Sequence, residues 1–353
     1  MEDIQLSVYT LLFESARSTF FMTWFRDLFG FTEESPAQVR HHLVLEGSKL
    51  RSLVNDNSYE CGKLDIPTLQ ELRAAVEQEA NNSDGCITFS EVLSDAQDLH
   101  LDQNNNKALF QVASQFNLLE MASPEVSPDD GVDIYEWDKT QGPACAIAAG
   151  AGTIFRNYYA PVGRQIGQST AAQIDCLSDL GFALGNENER LWRVINGYAL
   201  ASSSGLAEIS NSLDSMNEAE LDYIRSQLRV GIMSGTEVTL KNSSNKVSQI
   251  YCSAVPVSYS KEPASAWEPF ARLILEATYE ATLCAAVLNQ TRYGSKTVFL
   301  TMVGGGVFGN QTDWIVDAIN RAMDLYKNYD LDVRMVSYIN SNEKIRPLLK
   351  KYG

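Results

Sequence analysis

Apolar residues in this chain recur at two different spacings. Residues 297–303 (TVFLTMV) and 108–114 (ALFQVAS) are nearly continuous apolar runs bounded by glycine or polar residues. Such runs predict strands buried on both faces of a sheet. Residues 313–326 instead carry Trp314, Ile315, Ala318, Ile319 and Met323 at helical spacing, and residues 267–288 do the same with Phe270, Ile274, Ala277, Ala281 and Cys284. Residues 217–227 predict an amphipathic helix capped by Asn217 with Glu220 three positions on. A helix over 68–80 has Asp65 as its expected N-cap and Pro67 near its first turn. At the N-terminus, Leu6, Tyr9, Leu12 and Phe13, continued by Phe20, Phe21, Trp24 and Phe25, predict a helix over 3–29 that stops at Gly30. Alternation over 41–54 around Glu46-Gly47-Ser48 predicts a hairpin, and strands within 228–240 and 247–255 read as a pair joined through 241–245. Shorter strands are expected at 86–92 and 333–338, and a strand and turn around Asn196-Gly197-Tyr198. No internal repeat is found.

Three junctions in this pattern carry candidate chemistry. The first is Gly304-Gly305-Gly306-Val307-Phe308-Gly309-Asn310, between the 297–303 strand and the 313–326 helix. Strand, glycine loop and helix N-terminus together aim backbone N–H groups at an anion, and three consecutive glycines allow close approach. Phe308 offers a ring for a sugar or base. Taken alone, the motif reads equally well as a phosphate cradle and as a tight turn; it lacks the Lys-Ser/Thr of a P-loop. The second junction follows the 108–114 strand, where Gln115, Phe116 and Asn117 stand at the position α/β sheets use for ligands. The third is the helix start at Gln141, Gly142, Pro143 and Ala144, which opens a run of small residues through 152. That run suits tight packing on a sheet, close approach to a ligand, or both. A loop over 123–140, rich in Pro, Asp and Gly, precedes it as a lid or a surface loop.

Composition narrows the class. The 353-residue chain is 44% hydrophobic and 21% charged, with a net charge of −17. That acidity argues against nucleic acid or an anionic membrane as the main partner, while a single phosphate ligand held by local N–H groups stays compatible with it. Cys61, Cys86, Cys145, Cys176, Cys252 and Cys284 form no C-x-x-C pair. They read as small core residues of a reducing compartment, and the expected location is cytoplasmic. A basic n-region followed by an apolar block is missing, as is any apolar stretch of membrane-spanning length. His41, His42 and His100 match no triad or metal spacing, so no metal and no cofactor are expected.

In order and kind, the Gln115-Phe116-Asn117 turn, the Gly142-led helix and the Gly304–Gly309 loop resemble the macrodomain family, whose members bind ADP-ribose. The wider segments ALFQVASQFNLLEM, TQGPACAIAAGAG, WEPFARLILEATYEATL and VFLTMVGGGVFGN are similar to an atypical subgroup, the MavL type, across roughly residues 40 to 340. That subgroup removes ADP-ribose from arginine on ubiquitin. The resemblance implies an α/β fold: a three-layer α/β/α sandwich with a mixed central sheet and extra N-terminal helices. The implied organisation is an N-terminal helical extension over 1–35 and an ADP-ribose-binding domain over 36–353. It also implies that Asn117 meets the distal ribose and that Gly142 and the Gly304–Asn310 loop clamp the diphosphate. The implied partners are ADP-ribose and an ADP-ribosylated protein, with ubiquitin as a candidate.

Breaking a C1″–N bond to arginine requires carboxylates that activate water and stabilise an oxocarbenium-like transition state. The candidates are Glu120, Glu237, Asp129, Asp130, Asp133, Asp138, Glu276 and Glu280. Glu120 ranks first because it adjoins the Asn117 turn. Glu237 ranks second because a carboxylate inside an apolar strand is costly unless used or paired. The subgroup carries acids in the strand represented here by 231–240; this chain keeps Glu237 but has Gly235 and Leu240 close by, and a catalytic carboxylate belonging at either place would make it a weak hydrolase or only a binder. The leading expectation is therefore an ADP-ribosyl-arginine hydrolase; the alternatives are a non-catalytic ADP-ribose reader and a nucleotide-binding interaction module.

Overall fold

The apolar runs pair into one seven-stranded mixed sheet in the computed structural model, which describes residues 23–80 and 85–353. Its strands are β1 (Lys63–Asp65), β2 (Thr88–Leu93), β3 (Leu109–Ala113), β4 (Gly231–Glu237), β5 (Lys246–Cys252), β6 (Thr297–Leu300) and β7 (Asp332–Ser337). In space the order is β1-β4-β5-β3-β6-β7-β2. From β5 to β2 every neighbouring pair is parallel, whereas β4 runs antiparallel to both β5 and β1. The parallel centre explains the unbroken apolar runs of β3 and β6, because both faces of such strands are covered.

The helices that matter here are α1 (Trp24–Phe29), α2 (Leu69–Glu79), α3 (Ala96–Leu101), α4 (Gln141–Ala148), α5 (Gly150–Tyr158), α6 (Ala264–Tyr293) and α7 (Thr312–Leu325). One face of the sheet meets α6: Gln111 Nε2 donates to Thr282 Oγ1 at 2.8 Å, and Cys252 Sγ lies 3.6 Å from the same hydroxyl. The opposite face meets α3, α4 and α5. There Gln249 Nε2 donates to the Cys145 carbonyl at 2.9 Å, and the Arg156 guanidinium sits 3.7 Å from the Tyr251 ring centroid. The expected three-layer α/β/α sandwich is therefore the observed fold.

Several local expectations are refined. Residues 1–22 of the expected 3–29 helix lie outside the described residues; α1 is its described end, stopped by Gly30 at φ +81°. Trp24, Phe25, Leu28 and Phe29 pack with Leu50, Leu119 and Ile154 in one apolar cluster. The N-cap of α2 is Thr68, not Asp65. Its hydroxyl and the Glu71 carboxylate cap each other's backbone, a reciprocal pair that Asp65 is too far upstream to make. The small-residue helix from Gln141 is two helices, parted at Ala149, whose ψ of 56° breaks the ladder. Among the described residues, no helix is long and apolar enough to cross a membrane.

Candidate functional site

Because β5, β3 and β6 are parallel, Cys252, Ala113 and Leu300 end at one edge of the sheet. The three junctions singled out from the sequence meet at that edge. Gln141 begins α4 and bonds β3 beyond the last β6 pairing: its Oε1 accepts from the Ala113 N–H at 3.0 Å and its Nε2 donates to the Gln111 carbonyl at 2.9 Å. Gly142 comes next, and any Cβ there would collide with the Ala113 carbonyl. Only glycine lets the helix N-terminus sit this close to the strand end. Pro143 is buried behind it, and the Ala144 carbonyl accepts from Gln97 Nε2 at 3.4 Å.

The Gly304–Asn310 loop follows β6 at the same edge of the sheet. Gly304 and Gly309 have φ of +74° and +72°, the left-handed region that favours glycine. Asn310 closes the loop, its N–H donating to the Gly304 carbonyl at 2.9 Å and its Nδ2 to the Val255 carbonyl at 2.8 Å. Gly305 packs near Ile315 of α7, but a Cβ at Gly306 would meet nothing within 4 Å. The crest, Gly306 and Val307, is thus open. Phe308 is half-buried, its ring 5.3 Å from that of Tyr198 and 5.8 Å from that of Tyr259.

The turn after β3 is built differently from the sequence expectation. Gln115 Oε1 accepts from the Met121 N–H at 2.7 Å. Asn117 Oδ1 accepts from the Leu119 N–H at 3.1 Å, and Asn117 Nδ2 donates to Gln173 Oε1 at 2.8 Å. Phe116 is buried in the main core. Both amide side chains therefore hold the turn, with Leu118 forced to φ +65°, and the Phe116 ring points into the protein. Expected as free hydrogen-bonding and stacking groups, they are already engaged.

Glu120 is where the sequence expectation and the geometry meet. Its Cγ lies 3.1 Å from the position of a Cβ on Gly142, directly beneath the α4 N-terminus. The residue is 2% exposed. Its Oε1 pairs with Arg156 Nη1 at 2.9 Å, and its backbone N–H donates to Tyr135 Oη at 3.0 Å. Arg156 is further held by Thr153 Oγ1 at 2.9 Å and by the Leu118 carbonyl. Glu120 Oε2 has no hydrogen-bond partner among the described residues. Burial pushes the Glu120 pKa up to about 7, with Arg156 opposing that shift.

Glu237 does not join this site. It pairs in register with Lys246, at the start of β5, while Gly231 at the other end of β4 faces Tyr251. Antiparallel β4 thus carries Glu237 to the opposite edge of the sheet, about 20 Å from the cleft by strand rise. Its Oε2 accepts from the Glu60 N–H at 2.9 Å, which is the pairing that a carboxylate in a strand needs. Glu280 is already paired, bound by Arg73 at 2.5 Å and Arg321 at 2.6 Å.

Sequence reasoning missed other groups at the cleft edge. Arg156 and Tyr135 escaped because ion pairing and lid closure are long-range. A charge inside the apolar stretch around Ile154 and Phe155 was the available signal for Arg156. Tyr338 and Ile339 follow β7, which lies beside β6, and are 69% and 72% exposed. The 123–140 loop is an ordered cover of two 3-10 turns, Pro128–Asp130 and Asp133–Trp137. Glu33 fastens it, Oε2 accepting from the N–H groups of Val132 at 2.8 Å and Asp133 at 2.6 Å, and Oε1 from Tyr158 Oη at 2.6 Å. Among the described residues, no group of three or more His, Cys, Asp and Glu is placed to hold a metal ion.

No family model matches this chain, and no curated protein does. Similar solved structures include the poly(ADP-ribose) glycohydrolase of Thermomonospora curvata, at 11% identity and a TM-score of 0.45, covering 90% of this chain and 97% of that one. The same enzyme bound to the inhibitor ADP-HPD gives 12% identity and a TM-score of 0.42 over 90% and 97%. The poly(ADP-ribose) glycohydrolase of Deinococcus radiodurans in complex with ADP-ribose gives 9% and 0.41 over 81% and 95%. Scores at this level carry no weight for what this chain does.

Proposed function

We propose that this protein binds ADP-ribose in the cleft between the α4 N-terminus and the Gly304–Asn310 loop, and hydrolyses the bond joining it to arginine. The observation that carries the reading is Glu120: a buried carboxylate, one oxygen fixed by Arg156 and the other unpartnered, beneath the glycine that opens α4. A carboxylate titrating near 7 can exchange a proton at neutral pH. In the reaction, a water oxygen attacks C1″ of the distal ribose and the C1″–N bond breaks. Glu120 takes the water proton and then passes it to the leaving guanidine, which departs as guanidinium while the carboxylate is restored. The diphosphate lies between the α4 N-terminus, whose dipole favours an anion, and the N–H groups of the open crest at Gly306 and Val307. Phe308 flanks the ribose, and Tyr338 with Ile339 offers the base an apolar face. The arginine-bearing protein is proposed to be ubiquitin, by the MavL-type likeness of the sequence. One observation favours a second reading, an ADP-ribose reader without turnover: the described conformation covers Glu120 almost completely, so water reaches it only if the Tyr135 cover shifts. Incubation with arginine-ADP-ribosylated ubiquitin separates the two. Release of ADP-ribose supports the hydrolase; tight ADP-ribose binding without release leaves only the reader.

A further inference from the structure

Beside the cleft, a two-stranded hairpin of Trp192–Ile195 and Tyr198–Ala201 turns at Asn196 and Gly197, whose φ values of +46° and +80° are those of a type I′ turn. In such a hairpin the pair flanking the turn, Ile195 and Tyr198, exchanges hydrogen bonds, and the next pair, Val194 and Ala199, points its backbone groups outward. Two residues further on, the outward groups of Trp192 are satisfied by the Asn186 amide, which accepts from the Trp192 N–H at 3.2 Å and donates to its carbonyl at 3.0 Å. The N–H and C=O of Val194 meet no partner among the described residues. This open strand edge forms one wall of a groove of about 700 Å³. All the charged residues lining the groove are acids, Asp175, Glu187 and Glu189, and Phe182 stands at its rim 85% exposed.

We infer that this groove docks an extended basic polypeptide as an added strand along Trp192–Ile195. Main-chain pairing to Val194 supplies the register, Phe182 an apolar contact, and the three acids select Lys and Arg side chains. The four residues of edge, about 13 Å, span about four residues of an extended peptide. The groove also leads to the cleft. Gln173 at its end accepts from Asn117 at 2.8 Å and donates to Asn196 Oδ1 at 2.8 Å, and the hairpin tip accepts at the Gly197 carbonyl from the Phe116 N–H at 3.0 Å. Resting on the hydrolase reading, the docked strand is the segment of the substrate protein next to its modified arginine.

The test uses a fluorescein-labelled (Thr-Arg)4 peptide and the full chain, read by anisotropy at low salt. The expected results are saturable binding, no binding of (Thr-Glu)4, and affinity at least tenfold weaker when alternate peptide nitrogens are methylated, because methylation blocks strand pairing and keeps the charge. The doubly substituted Glu187→Lys/Glu189→Lys chain should also bind at least tenfold more weakly. Both residues are exposed and make no side-chain hydrogen bond among the described residues, so its melting temperature should match the parent's. Failure of (Thr-Arg)4 to bind, or binding indifferent to methylation or to the charge reversal, overturns the inference. ADP-ribose titrated into the same variant should bind as to the parent. If the parent binds (Thr-Arg)4 as described but never binds ADP-ribose, the groove stands and the hydrolase reading falls.

Discussion

Replacing Glu120 with Gln tests whether the buried pair is both a stability element and the reactive group. The substitution preserves shape and removes one charge, leaving Arg156 fully buried with Thr153 Oγ1, the Leu118 carbonyl and the Tyr251 ring as its remaining company. Removing one partner of a buried ion pair costs about 3–5 kcal/mol. The lower end applies here, since a glutamine carbonyl still accepts from Arg156. An unfolding entropy of about 2.1 cal/mol/K per residue over 353 residues gives about 0.7 kcal/mol/K, so the melting temperature should fall by about 4 °C. Release of ADP-ribose from modified arginine should fall at least 100-fold, the usual contribution of a positioned proton-transfer group. The double variant Glu120→Gln/Arg156→Met removes the stranded charge and should melt above the single one. Scanning calorimetry and a release assay on the three proteins decide the matter. A single variant as stable as the parent, or a double variant less stable than the single, refutes the pairing argument; undiminished release removes Glu120 from the chemistry.

Other outcomes follow from placement. Glu237→Gln should leave kcat/KM for ADP-ribose release within twofold of the parent, because Glu237 lies at the far edge of the sheet; a 100-fold loss would mean that the strand order does not govern the site. Gly142→Ala should cost about 1–3 kcal/mol in chemical denaturation, since the new Cβ strikes a backbone carbonyl that has no room to withdraw. The pH dependence has a definite sign. Burial raises Glu33 from 4.5 to about 7 and Asp133 from 3.8 to about 6. The folded chain keeps protons that the unfolded chain loses, so this stabilisation is complete below about pH 4 and disappears as pH rises through 6 to 7. In the other direction, Arg73 holds Asp222 below its usual range, and that contribution is lost on acidification. Melting temperature measured from pH 4 to 8 should peak near 5; a steady rise to pH 8 would contradict the burial of these acids.

Much of the scaffold was legible because local signals and tertiary packing agree. The run TVFLTMV became β6, although the strand ends at Leu300, where the Thr301 N–H turns to Gln111 Oε1. The 313–326 periodicity became α7, and the Asn217-Glu220 capping box starts the helix at Glu218. The glycine loop, the Gly142 helix and Glu120 do share one edge of the sheet. What one sequence did not carry was direction and distance. The polarity of Glu237 in its strand looked like a sign of use, and only the antiparallel run of β4 shows that it points away from the site. Asn117 looked free because its partners, Gln173 and the Leu119 N–H, depend on how the turn closes. Residues 163–179 gave no clear periodicity, since they form short turns held by side-chain amides such as Gln168 and Gln173.

The most direct test of the cleft is calorimetric titration of ADP-ribose into the parent and into Gly306→Asp. The crest of the loop is open at Gly306, so the aspartate should leave the melting temperature unchanged while placing charge against the diphosphate. One-to-one binding to the parent is expected, with at least a roughly 100-fold weaker affinity in the variant. No heat with the parent, or equal affinity in the two, would contradict this expectation.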